Sequence, residues 1–162
     1  MTPEQAAHYR TGLIALAREE VDEAEVSLVA LAAELPEDAD VRAFLAAAWG
    51  AQGRIDEAIE AMSLALELGP LRFAPNIKAG ELDLRLGDLD AAVLHFKQAL
   101  KAAEHGSRDA AAARTLLGET RQRAGRSIVR QASFPRWHRP AFMKRQADRL
   151  LTTPVEDGGN IE

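Results

Sequence analysis

The chain has no cysteine, which excludes disulfides, thiolate metal sites and cysteine nucleophiles together. Aromatic residues make up only 5% of it, and β-branched residues are sparse, so the side chains that favour strands are too few for a sheet-based core. No stretch approaches about 18 uninterrupted apolar residues, the length that a membrane-crossing helix needs. The first residues lack the basic region and apolar run of a signal peptide, so the expected setting is the cytoplasm. Spacings that carry chemistry are missing as well: there is no HExxH, GxSxG, phosphate-binding loop or EF-hand. His8, His95, His105 and His138 are scattered, and only His105 has an acidic residue one helical turn on, Asp109, with Gly106 between them. Acidic clusters at 19–25 and 37–40 fall at expected helix starts, where carboxylates favour the free backbone N–H groups. Neither cluster has the alternating ligands of a calcium loop. These gaps point to a non-enzymatic chain with no metal and no cofactor.

What is present in quantity is Ala and Leu, interrupted by Glu, Asp and Arg, with 47% hydrophobic and 28% charged residues overall. That mixture suits helices. A length of 162 residues fits one domain with extensions. The charge is uneven: residues 1–105 carry 9 Lys+Arg against 19 Asp+Glu, and residues 106–150 carry 11 against 3. A reversal of that size marks a change of role near residue 106.

The dominant signal is an internal repeat. Val21-Asp22-Glu23-Ala24, Ile55-Asp56-Glu57-Ala58 and Leu89-Asp90-Ala91-Ala92 succeed one another at a constant period of 34 residues. Leu28, Met62 and Phe96 share one register, as do Leu31, Ala65 and Ala99, and Pro36 with Pro70. Gly53 and Gly87 match too, with Glu19 in the first copy. Each unit reads as two helices joined by a tight turn, in which a glycine takes the left-handed conformation. Small Ala24, Ala58 and Ala92 allow close helix approach, and the large apolar residues lie one turn along the same face.

With its period, and with Leu45, Ala46, Trp49, Ala58, Met62, Ala65 and Pro70 in the signature places of the second unit, the chain resembles the tetratricopeptide repeat family. The third unit carries Ala79, Gly80, Ala92, Phe96 and Ala99 but has Asp83 where a large apolar residue is usual. The resemblance implies an all-α, right-handed α-solenoid of antiparallel helix pairs. Its units are expected at about 5–38, 39–72 and 73–106, with a partial fourth at 107–125. There Leu117-Gly118 and Gly125-Arg126 repeat the spacing of Leu45-Ala46 and Gly53-Arg54, four residues late.

In this family the first helix of each pair lines a concave groove that holds a partner. Carrying the register over places Tyr9, Leu13 and Leu16, then Ala43, Phe44, Ala47 and Ala51, then Ile77, Lys78, Glu81, Leu84 and Arg85 toward it. The partial unit adds Thr115, Glu119, Gln122 and Arg123. Members that grip a C-terminal carboxylate use Lys and Asn at places held here by Tyr9, Leu13, Phe44 and Ala74, and only Lys78 keeps the pattern. The groove is therefore expected to take an apolar peptide or the apolar face of a helix. The implied function is protein binding, as an adaptor or chaperone-like module.

Residues 126–151 differ in kind. Phe134, Trp137, Phe142 and Met143 interleave with Arg130, Arg136, Arg139, Lys144 and Arg145, and Pro135 and Pro140 oppose helix. Two readings stand: a cap over the end of the solenoid, or a second binding segment. In the second reading it docks on the acidic repeats of another copy, giving a self-associating scaffold, or touches an anionic membrane surface. The acidity of the repeats argues against nucleic acid. Residues 152–162 read as an acidic disordered tail.

Overall fold

The computed structural model describes residues 1–126. Seven helices follow one another there: α1 (Pro3–Ala17), α2 (Val21–Glu34), α3 (Ala39–Ala51), α4 (Ile55–Leu68), α5 (Phe73–Leu86), α6 (Leu89–Ala102) and α7 (Arg108–Arg126). The described residues contain no strand. Helices α1/α2, α3/α4 and α5/α6 form hairpins, and α3, α5 and α7 each also lean on the second helix of the hairpin before.

The turns inside the hairpins have the local chemistry that the repeat predicts. Gly53 and Gly87 sit at φ 80° and 76°, a region that an L side chain enters at a cost. The first hairpin makes the same turn with Glu19 at φ 62°. Helix starts are held by side chains as well. Asp38 Oδ1 accepts from the N–H groups of Asp40 and Val41, Asp88 Oδ1 from Ala91, and Ser107 Oγ from Ala110. Thr2 and Gln5 form a reciprocal capping box at α1, with Pro3 at its first position.

Packing inside each hairpin follows a size trade. Gly80 faces Phe96 so closely that a Cβ there would lie 2.4 Å from the ring. Gly12 stands close against Leu28 as well, where a Cβ would lie 2.8 Å from the side chain. In the middle hairpin the same two places hold Ala46 and Met62, both fully buried. A larger residue on one helix is thus met by a smaller one on the other, which holds the interior at close packing.

Polar chemistry differs between hairpins. Glu25 on α2 accepts hydrogen bonds from Trp49 Nε1 at 2.8 Å, from Gln52 Nε2 at 2.8 Å and from Arg54. These donors, Gln52 foremost, then Trp49 and Arg54, hold its carboxyl down at about 2. Arg54 also lies over the Trp49 ring, 5.1 Å from its centroid, and pairs with Glu57. In the third hairpin, Asp83 occupies the register place of Trp49. It is wholly buried, with its Oδ2 2.6 Å from Nδ1 of buried His95.

Two expectations change at the C-terminal end. Helix α7 runs unbroken through Gly125, where the repeat register places a turn. A glycine costs an exposed helix only about 1 kcal/mol and does not end it alone. No Asp-x-Ala segment follows to start a packed second helix. The shift before α7 is also smaller than four residues: the turn at 103–107 is one residue longer than those at 35–38 and 69–72. Ala110, Ala113, Leu117 and Thr120 bury one face of α7, which rests chiefly on α6.

Candidate functional site

Residues of α1, α3, α5 and α7, with the α4–α5 turn and the end of α6, enclose a groove of about 640 Å³. Its wall is apolar through Phe44, Leu71, Phe73, Ala74, Ile77, Ala112 and Leu116, and polar through Tyr9, Asp40, Arg72, Lys78, Glu81 and Asp109. Phe44 is half-buried in this wall. The Tyr9 ring meets it edge-on at 5.8 Å between centroids, and Lys78 Nζ lies 5.6 Å from its face.

Several contacts fix this wall. Asn76, buried on α5, donates through Nδ2 to the carbonyls of Pro70 at 2.9 Å and Arg72 at 2.8 Å. That anchors the α4–α5 turn, which presents Leu71 at 75% exposure. Arg42, at the same place in the previous hairpin, donates to the carbonyls of Pro36 and Ala32, so both inter-hairpin turns are tied back by the following helix. Arg72 forms a two-pronged pair with Asp40, with Nε to Oδ1 at 2.9 Å. Lys78 Nζ pairs with Glu81 at 2.8 Å. Both cations in the wall are thus already matched by carboxylates of the same chain. Asp109 has no ion pair among the described residues. The Tyr9 hydroxyl is pushed up to about 12, first by burial and then by the nearby Asp40 and Asp38 carboxylates, so near neutral pH it keeps its proton as a donor.

Of the residues that the register places toward a concave surface, Tyr9, Phe44, Ile77, Lys78 and Glu81 line this groove together. The others lie elsewhere. Ala43 is fully buried in the core between α3, α4 and α5, on a face of α3 turned about 100° away from Phe44. Leu16 packs on the core of the first hairpin, and Leu84 on that of the third. Leu13 and Ala47 are half-buried outside the groove wall. Ala51, Arg85, Thr115, Glu119, Gln122 and Arg123 are exposed and outside it as well. Most of these belong to the C-terminal halves of their helices, whereas most of the groove residues on α3, α5 and α7 belong to the N-terminal halves. Phe134, Arg136, Trp137, Phe142 and Met143 lie outside the described residues.

Sequence reasoning misses Leu71, Arg72 and Asp40. They come from turns and helix starts, and the register considers only helix faces. The available signal is the spacing of Asp40 and Arg72, close to one repeat period, which brings opposite charges to neighbouring helix starts. It also misses the Asp83–His95 pair, which joins α5 to α6 across the hairpin from three residues before the end of α5 to six residues after the start of α6. Among the described residues, no group of three or more His, Cys, Asp or Glu could hold a metal ion, and no helix is long and apolar enough to cross a membrane.

No family model matches the sequence, and no curated protein matches it. Solved structures do. The Sgt2 TPR domain from Aspergillus fumigatus aligns with a TM-score of 0.64 at 23% identity, covering 83% of this chain and 89% of that one. A T3SS complex from Aeromonas hydrophila aligns at 0.60 and 23%, covering 77% and 85%. The TPR2B domain of yeast Sti1, solved as a complex with pHsp70, aligns at 0.61 and 18%, covering 75% and 99%. The stacked hairpins, the turn geometry and these likenesses agree that the chain has the tetratricopeptide repeat fold, an all-α helical-repeat solenoid.

Proposed function

We propose that this chain is a non-enzymatic protein–protein interaction module, an adaptor or chaperone-like protein, that holds an apolar segment of a partner in the groove between α1, α3, α5 and α7. The observation that carries the reading is the state of the groove wall. Phe44, Leu71, Phe73 and Ile77 offer apolar area, while Arg72 and Lys78 are already paired internally. A wall of this kind favours bulky apolar side chains over a carboxylate, which would have to displace Asp40 or Glu81 to reach a cation. The solved complex of the similar Sti1 domain with pHsp70 supports a binding role for the fold.

Selection of a random peptide library on the purified chain tests this. Enriched peptides are expected to carry bulky apolar or aromatic residues. Leu71→Ser removes an exposed side chain and leaves the core intact, so it should weaken those peptides about tenfold with little change in melting, the effect of losing roughly 1.4 kcal/mol of apolar contact. Phe44→Ala should weaken them further. Enrichment of acidic peptides instead, or binding indifferent to both substitutions, would overturn the reading.

A further inference from the structure

We infer that residues 130–145 of this same chain occupy the groove, so that the module carries its own competing ligand. The inference rests on the groove being the binding site proposed above, and three observations carry it. The first is reach. Helix α7 supplies Asp109, Ala112 and Leu116 to the wall and then continues to Arg126. Ten helical residues from Leu116 to Arg126 cover about 15 Å. Residues 127–134 span up to about 26 Å when extended, enough to bring Phe134 back over the wall. The second is composition. Phe134, Trp137 and Phe142 are the bulky apolar groups that such a wall favours, and Pro135 and Pro140 bias the residues before them toward extended backbone, the shape that fits a trough.

The third is charge. With Arg72 and Lys78 already paired, the carboxylate left over on the wall is Asp109, and exposed Glu104 lies on the turn beside it. The surrounding body, residues 1–105, holds 19 acidic against 9 basic residues. A segment with Arg136 and Arg139 flanking Trp137 complements that field. Tethering favours the same chain over a second copy, because a short linker holds the segment at an effective concentration of about millimolar.

The absence of cysteine from the sequence makes a direct test possible. In the full chain, Ser133→Cys is combined either with Ala74→Cys in the groove wall or with Glu60→Cys, which is exposed on α4 and no part of the groove. Under mild oxidation the Ala74 pair should close an intrachain disulfide at least about tenfold faster than the Glu60 pair. Adding Phe134→Ser and Trp137→Ser should erase that advantage, because both aromatic contacts with the wall are removed. The melting of the helices serves as the folding control. Peptides from the library should also bind the Phe134→Ser/Trp137→Ser chain about tenfold more tightly than the native chain. Equal closure rates for the two cysteine pairs would overturn the inference. So would disulfides formed only between chains, which would make a second copy the occupant. If closure rates are equal while peptides still depend on Leu71, the competing ligand is ruled out and the proposed function stands; if no peptide binds either chain, the function itself falls.

Discussion

Trp49 in the second hairpin and Asp83 in the third hold the same place in the repeat, and their surroundings have diverged around them. Trp49 sits at a partly exposed edge, where its N–H joins Gln52 and Arg54 around Glu25. The ions there keep contact with water, so the network contributes modestly. Asp83 points into a closed interior and meets His95. Such a pair gives little net stabilisation over an apolar equivalent, yet losing one member leaves a charge that burial penalises. One backbone position can therefore be filled by opposite chemistries, provided that the facing helix changes with it. The cost of a mistake depends on depth more than on the number of contacts.

The sharpest way to break this comparison is His95→Leu, which deprives the buried Asp83 carboxylate of its imidazole. Urea unfolding should show a loss of about 3–5 kcal/mol. Asp83→Leu with His95→Leu should recover most of that loss, because an apolar pair needs no compensation. A double variant as unstable as the single one would show that the pair is more than a local match.

A smaller effect tests whether the hairpins share one geometry. Gly80→Ala drives a methyl into the Phe96 ring and should cost about 1–3 kcal/mol. Adding Phe96→Met rebuilds the Ala46–Met62 arrangement of the middle hairpin and should restore the melting temperature. The smallest effect belongs to the exposed side of the comparison. Glu25→Gln should cost about 1 kcal/mol near neutral pH, where hydrogen bonds to the charged carboxylate are discounted for solvent access. The folded-state carboxyl is held at about 2, below its ordinary 4.5. Its stabilisation is therefore full above that ordinary value and is lost as pH falls through about 2. The gap in melting temperature between native and variant proteins should close over that acid range.

The repeat made the hairpins legible because helix phase, turn glycine and small–large pairing all recur in register. Gly53 and Gly87 take the left-handed turn expected of them. Depth was not legible. Tyr9 and Leu13 lie one turn apart on one face of α1, yet only Tyr9 lines the groove. Periodicity gives the direction of a side chain and says nothing about how far the neighbouring helix stands from it. Leu71 and Arg72 lie on a turn, where helical periodicity does not apply, and Asn76 holds that turn in place.

The size trade within hairpins also bears on how such a chain can be recombined. Gly12 belongs with Leu28, Ala46 with Met62, and Gly80 with Phe96. A genetic crossover between units that falls at the inter-hairpin turns, 35–38 or 69–72, moves both members together. One that falls at Gly53 or Gly87 joins Ala46 to Phe96 or Gly80 to Met62, leaving either a clash or a void. Duplication and exchange are then tolerated only in whole hairpins, and the heritable module of this solenoid is the helix pair.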